Sequence, residues 1–546
     1  MKIALVTTPP SLASGIGDYT RHLLPELSRH AEIDLFVEDG REGEECLGRE
    51  MRAVRTLEPN AYDQIVHQLG NEIAHAFLVP LVRRVGGTVV LHDWILFDLA
   101  LAAHPALARG GLKGLALALR EGGLAEMNVY VENFLARRRE RGADRQGPSA
   151  KRMEGTLLDG WHGLEAKGRW TSARARLRLA GTGLESVRVA FTTEPGRRVQ
   201  IACQDRHADA TASGSTREFE LELALRGLEE PILEISAAPL FISDDQRRHN
   251  DTRNLGAFVR RITVRDVQGE REVDLGEAPA APLSSFTLTR DRFRLSFNRG
   301  IVRSADGFIV HSQYVRGKIL GLRKGPTPVT VVSHGAQPRW SDEDRKLTRA
   351  RLGLPSDWQS GILLTSFGNV QAHKRIEPLL EAFAAARAQR SDLRLALIGT
   401  LDRESLDVPA MVCRLGLESS VRLTGRVHES EAWPWIHAGD FAVQLRGPST
   451  GGSSGGVFQS LGLGRGVIAS DSMEQRELPS SCVLRVAADE RETLNLSRLF
   501  LELASDPARR AVLEQAARDF VLKECSWARV ASLYAEHLTL NPRPRR

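Results

Sequence analysis

Apolar and polar positions follow two different rhythms along this chain. Over residues 1–136, short apolar runs at 3–6, 33–37, 65–69 and 88–91 are separated by stretches of helical spacing such as 19–28. Buried strands alternating with helices predict a parallel sheet with crossover helices. Over about 153–290 the period drops to two. Ala173, Ala175, Leu177 and Leu179 alternate with Arg174, Arg176 and Arg178, and Phe219, Leu221, Leu223 and Leu225 alternate with glutamates and Ala224. With further short strands expected at 187–191, 199–203, 232–235 and 258–267, divided by turn residues, this predicts an antiparallel β-sandwich. From Leu295 the first rhythm returns. Runs at 307–310 and 329–332 complete the first sheet, and runs at 362–367, 393–398, 421–424, 441–445, 467–470 and 483–486 build a second, with a helix at 376–388 and a last helix capped by Ser526.

The predicted class is therefore α/β: two Rossmann-like parallel-sheet domains with an inserted antiparallel β-sandwich. The boundaries expected are 1–152 and 291–340 for the first α/β domain, 153–290 for the insertion, 341–524 for the second α/β domain and 525–546 for a final helix and basic tail. Residues 137–152, rich in charge with Gly and Pro, read as a linker.

Composition narrows the class. The 546 residues carry 74 Lys and Arg against 69 Asp and Glu, a net charge of +5 that is no nucleic-acid footprint over this length. With 42% hydrophobic and 26% charged residues the chain is ordinary globular material. The five cysteines, Cys46, Cys203, Cys413, Cys482 and Cys525, are scattered with no C-x-x-C pair, which argues for a reducing compartment and against a disulfide scaffold. The N-terminus runs straight into an apolar strand without a signal-peptide pattern, and the most apolar neighbourhood, 89–107, is broken by His92, Asp93, Asp98 and His104. The expected location is the cytoplasm.

In open parallel sheets ligands collect beyond the carboxyl ends of the strands. The residues that follow the predicted strands here are Ser14 to Asp18, His92-Asp93, His311-Ser312, His334-Gly335, Gly368 to Arg375, Gly425-Arg426 and Leu445 to Gly456. The run Arg446-Gly-Pro-Ser-Thr-Gly-Gly-Ser-Ser-Gly-Gly456 enters a helix, and such a loop aims free N–H groups and a helix dipole at an anion. Lys374 and Arg375 stand at a helix start, where cations oppose the dipole, so binding a diphosphate accounts for them better than helix stabilisation does. Gly15, Gly17 and the acids Glu38 and Asp39 imitate a dinucleotide fingerprint. Thr20 at the third glycine position and the long 8–14 loop do not satisfy it. His92 and Asp93 could orient a sugar hydroxyl or stabilise positive charge; a buried, satisfied histidine is the other account, and His334 shares that ambiguity. Asp342-Glu-Asp344 matches a metal-binding D-x-D, yet its place suits a helix cap better, so no metal is assigned.

Together these residues resemble the retaining glycosyltransferases of the GT-B fold, the family 4 group that builds bacterial surface polysaccharides. The resemblance is carried by Pro10 with Ser14 to Tyr19, Leu91-His-Asp93, Gly307 to Ser312, Val332-Ser-His-Gly335, Ser366-Phe-Gly368 with Lys374 to Glu377, Leu445 to Gly456, and Ser470-Asp471 with Glu477-Leu-Pro479, across about 1–136 and 296–540. The inserted segment, with Gly168 to Thr171 and Asp251 to Gly256, resembles an accessory module of some of these enzymes.

The resemblance implies a metal-independent hexosyl transfer, mannose from GDP-mannose being one option. The donor would be a GDP- or UDP-linked sugar, a substrate with no further cofactor, and the acceptor a surface-polysaccharide or lipid-linked glycan. His92, Asp93 and Lys374 are the implied catalytic residues. Gly15, Gly17, Gly368, Lys374, Arg375, Arg426, Ser453, Ser454, Gly455, Gly456 and Gln459 are the implied donor-binding residues. Lys374 and the N–H groups around 453–456 would neutralise the departing diphosphate. Nucleic acid is no expected partner. Contact with the inner face of a membrane through 137–152 and 542–546 stays open beside a plain solvated linker and tail.

One departure stands out. Relatives carry a glutamate in the loop where this chain has Gly452, and a second acid where it has Gln459. Losing a charged hydrogen bond costs about 1.5–3 kcal/mol, roughly ten- to a hundredfold. The alternative implied is a catalytically inactive member of the fold that binds glycan or organises a complex.

Overall fold

The computed structural model describes residues 1–12, 14–144, 153–157, 161–165, 168–171, 174–179, 183–193, 197–211, 218–228, 231–238, 257–267, 269–274, 292–323, 325–341, 343–401 and 406–544. Ala13, residues 145–152 of the expected linker, Asp251 to Gly256, Asp342 and the last two arginines lie outside them. The chain forms two compact units, one of Met1–His104, Ala116–Met127 and Phe293–Arg546, the other of Pro105–Leu115 and Asn128–Arg292.

The first unit holds two sheets. The N-terminal one has eight strands in the order Val329–Val331, Gly307–Val310, Thr88–Leu91, Gln64–Leu69, Lys2–Val6, Glu32–Val37, Arg49–Ala53, Glu45–Cys46, parallel except for the last pair. Period-two alternation sends Ala4 and Val6 to one face, with Leu78 and Val82, and Ile3 and Leu5 to the other, with Tyr19 and Leu23. The second face is closed by the chain's last helix, Trp527–Leu540, which contributes Trp527, Val530, Tyr534 and Leu538. Tyr19 and Tyr534 share a hydroxyl hydrogen bond of 2.8 Å, and Gln64 Nε2 donates to Leu538 O at 2.6 Å. Arg543 in the basic tail donates to Pro59 O at 2.7 Å, so that arginine is engaged with the protein's own backbone.

The C-terminal sheet has six parallel strands in the order Val421–Leu423, Leu393–Ile398, Ile362–Phe367, Phe441–Gln444, Val467–Ser470, Val483–Val486. Each sheet has one point where the chain reverses its direction of strand addition. In the N-terminal sheet it lies between Lys2–Val6 and Gln64–Leu69, and in the C-terminal sheet between Ile362–Phe367 and Phe441–Gln444. Loops leaving adjacent strands in opposite directions open a crevice there.

In the second unit nine strands run in one path, Arg206–Thr211, Arg198–Cys203, Ile232–Ala238, Arg174–Leu179, Met153–Leu157, Gly269–Asp274, Phe258–Asp266, Leu184–Thr192, Glu218–Ala224. Only the pair Gly269–Asp274 and Met153–Leu157 is parallel among the described ladders of this unit. Leu177, Ile201 and Ile235 from one end of the path and Val189, Leu223 and Ile262 from the other share one core.

Three local expectations change. The linker expected at 137–152 is helical as far as it is described, within Gly111–Asp144, because the run of Arg and Glu before Pro148 consists of strong helix formers. That helix is broken at Gly123, whose φ of 77° no β-carbon would tolerate against the Arg299 guanidinium. The first helix begins at Gly15, not Tyr19: Ser14 Oγ caps it by accepting from Ile16 N at 3.2 Å and Gly17 N at 3.3 Å. The strands Arg49–Ala53, Arg206–Thr211 and Gly269–Asp274 escaped the pattern because their compositions are polar.

Candidate active site

The switch point of the C-terminal sheet gathers two loops. The turn after Ile362–Phe367 ends in the 3₁₀ segment Ala372–Lys374, and the turn after Phe441–Gln444 runs through Arg446 to the helix Gly455–Gly462. Gly447 N donates to His373 O at 2.8 Å and ties the loops together. Lys374 is half-buried there. Desolvation and the like charge of Arg446 hold its ammonium down to about 7, while the field of Asp93 pulls the other way. Arg446 Nε is buried without a partner among the described residues, although Arg446 Nη1 reaches Thr450 Oγ1 at 3.4 Å. Two poorly compensated cations thus stand beside a helix start where Val457 N and Phe458 N donate to Ser454 O at 2.9 and 3.3 Å, which leaves the N–H groups of Gly455 and Gly456 ahead of them. Gly455 is open, with nothing within 4 Å of a β-carbon position. Gly456 is required by packing, since a β-carbon would lie 2.6 Å from Gln444 Oε1 and 2.9 Å from Phe367 O.

The strand ends of the N-terminal sheet carry a histidine cluster. His311 Nδ1 meets Val332 O at 2.9 Å, His311 Nε2 meets His92 Nδ1 at 3.1 Å, and His92 Nε2 meets the Gln68 amide at 2.8 Å. The Val332 carbonyl accepts from His311 Nδ1, and the Gln68 amide oxygen accepts from His92 Nε2. Burial keeps the rings neutral: His311 is pushed down to about 4, His334 to about 3 and His92 well below its usual value. Both ring nitrogens of His92 are therefore engaged in the interior.

The two rims touch. Trp94 N and Ile95 N both donate to Thr450 O at 2.9 Å, and Thr450 Oγ1 donates to Asp93 Oδ1 at 2.7 Å. A β-carbon on Gly452 would overlap Asp93 Oδ1 and lie 2.6 Å from His92 O, and one on Gly451 would lie 2.6 Å from Trp94 Cβ. Farther along, the Glu477 carboxylate accepts Gln313 N at 2.6 Å and Tyr314 N at 2.8 Å at the start of the helix Gln313–Leu322. Gly452 is thus explained by space: in this arrangement no side chain fits between the loop and Asp93.

The family comparison covers the strands of the C-terminal sheet. Residues 361–497 match the family described as Glycosyl transferases group 1. No curated protein matches the chain. Among solved structures, sucrose-phosphate synthase from Thermosynechococcus elongatus is similar over 99% of this chain and 98% of its own, at 12% identity and a TM-score of 0.51. The HepE protein of Anabaena, solved with UDP and glucose, is similar over 47% of this chain and 69% of its own, at 17% identity and a TM-score of 0.40. WaaG, a glycosyltransferase involved in lipopolysaccharide biosynthesis, aligns over 47% and 69%, at 16% identity and a TM-score of 0.39. The fold is GT-B, and residues 361–497 match the glycosyltransferase group 1 family.

The structure brings Lys374, Arg446, Asp93 and the loop around Ser453 to Gly456 to one place. Gly368, with φ 117°, follows the strand end next to Lys374. Gln459 has a buried Oε1 without a partner on the helix behind the loop. Other expected residues lie apart from this group or are committed elsewhere. Arg375 adopts a left-handed backbone and turns its guanidinium to the buried Glu492, with Nε donating at 2.6 and 2.8 Å. Arg426 is exposed beyond the strand Val421–Leu423. Gly15 and Gly17 open the first helix, and a β-carbon on Gly17 would lie 3.1 Å from Thr8 Oγ1. Asp344 caps the helix Arg345–Arg351 by accepting from Lys346 N at 2.9 Å. Arg446 and Thr450 lie in the loop that the sequence singled out but received no role of their own there, because the groups they face, Lys374 and Asp93, are distant in sequence.

A substitution follows from the crowding. Gly452→Glu is expected to lift the loop from Asp93 and release the two amides bound to Thr450 O. Hydrogen exchange at Trp94 and Ile95 should quicken by about tenfold or more, the equivalent of losing one or two net hydrogen bonds.

Proposed function

We propose that this chain is a retaining, metal-independent hexosyltransferase that takes a GDP- or UDP-linked sugar, mannose among the candidates, and transfers it to a surface-polysaccharide or lipid-linked glycan. The observation that carries the reading is the pairing of Lys374 with Arg446 at the switch point of a glycosyltransferase group 1 domain, beside the open helix start at Gly455. A diphosphate placed there would meet two cations and a row of N–H groups, which stabilise the charge that develops as the sugar leaves. Retention follows if the acceptor attacks on the leaving-group face and a diphosphate oxygen takes its proton. Contact of the two rims would exclude water from the reacting sugar and favour transfer over hydrolysis. No described helix is long and apolar enough to cross a membrane.

The test is incubation of the full chain with radiolabelled UDP-glucose and GDP-mannose, alone and with membrane extracts, and analysis of label released or transferred. Turnover of either donor is expected; absence of UDP and GDP binding sinks the reading. The docking of a carboxylate-free loop onto Asp93 favours a second reading, a glycan-binding protein without transfer. That reading predicts nucleotide or sugar binding with no turnover.

A further inference from the structure

A cavity of about 570 Å³ lies wholly within the first unit, and Lys374, Arg446 and Asp93 are not among the residues that line it. That volume suits a small organic molecule. Its walls come from the 3₁₀ segment Gln475–Glu477, the helix Gly455–Gly462 and the stretch from Asp519 to Glu524 that leads into the last helix. Phe458, Leu478, Pro479 and Phe520 give it hydrocarbon surface.

The polar groups on that lining are unevenly matched. Glu474 is 5% exposed and forms no ion pair among the described residues. Its Oε1 accepts from Ser449 Oγ, which in turn accepts Gly451 N at 2.9 Å. Its Oε2 accepts no hydrogen bond from the described residues, yet it is not sealed from solvent, so it opens on the cavity that the residue lines. A carboxylate taken this far out of water is costly unless a cation or several donors attend it. Gln475, 6% exposed and on the same lining, has an enclosed Oε1 with no donor among the described residues.

The more exposed lining carries the same sign of charge. Glu477, Asp519 and Glu524 join Glu474 there, against Lys523 alone. Lys523 is paired with Glu524 at 3.7 Å, and Glu477 is engaged by the amides of Gln313 and Tyr314. Asp519 is exposed and accepts Gln515 Nε2 at 2.9 Å. His311, also on the lining, is neutral at pH 7 because burial pushes it down to about 4. An anion would be repelled here, and a divalent cation would find too few free donors. A buried carboxylate, hydrocarbon walls and exposed carboxylates in one cavity suit an alkyl chain that carries an ammonium at each end.

We propose that this cavity binds an organic diamine or polyamine. One ammonium donates to Glu474 Oε2 and the Gln475 amide oxygen, the alkyl chain lies against Phe458 and Leu478, and the second ammonium meets Asp519 and Glu524 at the exposed side. The site does not depend on the transferase reading.

Calorimetry and saturation-transfer NMR on the full chain, without nucleotide because polyamines pair with phosphate in solution, use hexamethylenediamine and spermidine as probes and hexanediol and adipate as controls. The amines should bind, and the controls should bind at least about tenfold more weakly, since each lacks the charged hydrogen bond to Glu474. The chain's net charge of +5 disfavours general adsorption of polyamine. Glu474→Gln keeps an oxygen for Ser449 Oγ and removes the charge, so amine affinity should fall about tenfold or more. Ser481→Arg adds a cation at an exposed position of the lining and should weaken the amines about two- to fivefold. Thermal melts report the folding of both variants, and the second decides the matter if the first does not fold. The proposal is overturned if neither amine binds, if hexanediol binds as tightly as the diamine, or if either folded variant binds the amines unchanged. Amine binding that depends on Glu474, in a chain that binds neither UDP nor GDP, would defeat the transferase reading and leave this one standing.

Discussion

Lys374→Ala should lower the affinity for UDP or GDP by about ten- to a hundredfold, the worth of one charged hydrogen bond to phosphate. Arg446→Ala should do the same, and the double variant should approach loss of binding. The wild-type chain should also take up protons as it binds. Its ammonium sits near 7 because burial and Arg446 oppose the charge; a bound diphosphate favours the charged form and raises that value. Between pH 7 and the raised value the free protein is largely deprotonated at Lys374 and the complex protonated, so affinity falls as pH rises, by about tenfold per unit. Calorimetry at pH 8 in buffers of different ionisation enthalpy measures the uptake directly. Binding without proton uptake, or a Lys374→Ala variant that binds as tightly as wild type, would remove the lysine from the diphosphate site.

The second large effect concerns the last helix. Trp527 is 6% exposed; its ring stands edge-on to Tyr19 at 4.9 Å and stacks on His22 at 5.7 Å. Gly335 passes so close to it that a β-carbon there would overlap the indole. Trp527→Ala should cost about 3–5 kcal/mol, a large part of the roughly 5–15 kcal/mol that holds a domain together. Removal of residues 527–546 also takes Val530, Tyr534 and Leu538 from the N-terminal sheet, and soluble folded protein is not expected. Urea denaturation followed by tryptophan fluorescence and circular dichroism measures the first. An unchanged midpoint for Trp527→Ala would show that the sheet does not depend on the helix.

The sheet strands were readable because burial on both faces leaves continuous apolar runs, as at Leu393–Ile398, and the final helix because Ser526 caps a face bearing Trp527, Val530 and Tyr534. The surface which that face covers was not readable, since its partner Tyr19 is 515 residues away. The same separation in sequence hid the fate of Arg375. A cation at a helix start looks spare until Glu492, 117 residues on, is brought against it. Lys374, one residue earlier, is hydrogen-bonded to no carboxylate among the described residues and feels Asp93 only through its field. Gly452 was legible as a departure from a motif but not as a packing requirement, because the atom it avoids belongs to Asp93 on the other sheet's rim.

The joints between the rims, Thr450 O with two amides and Glu477 with two more, are all hydrogen bonds to groups that water can serve equally well. Beside them the His334 ring stacks on Phe458 at 5.0 Å. Parting the rims would expose peptide and carboxylate surface at the first points and aromatic surface at the second, and polar and apolar exposure change heat capacity in opposite senses. The balance between parted and joined rims should therefore respond to temperature through that aromatic contact, with ligand occupancy as a second control.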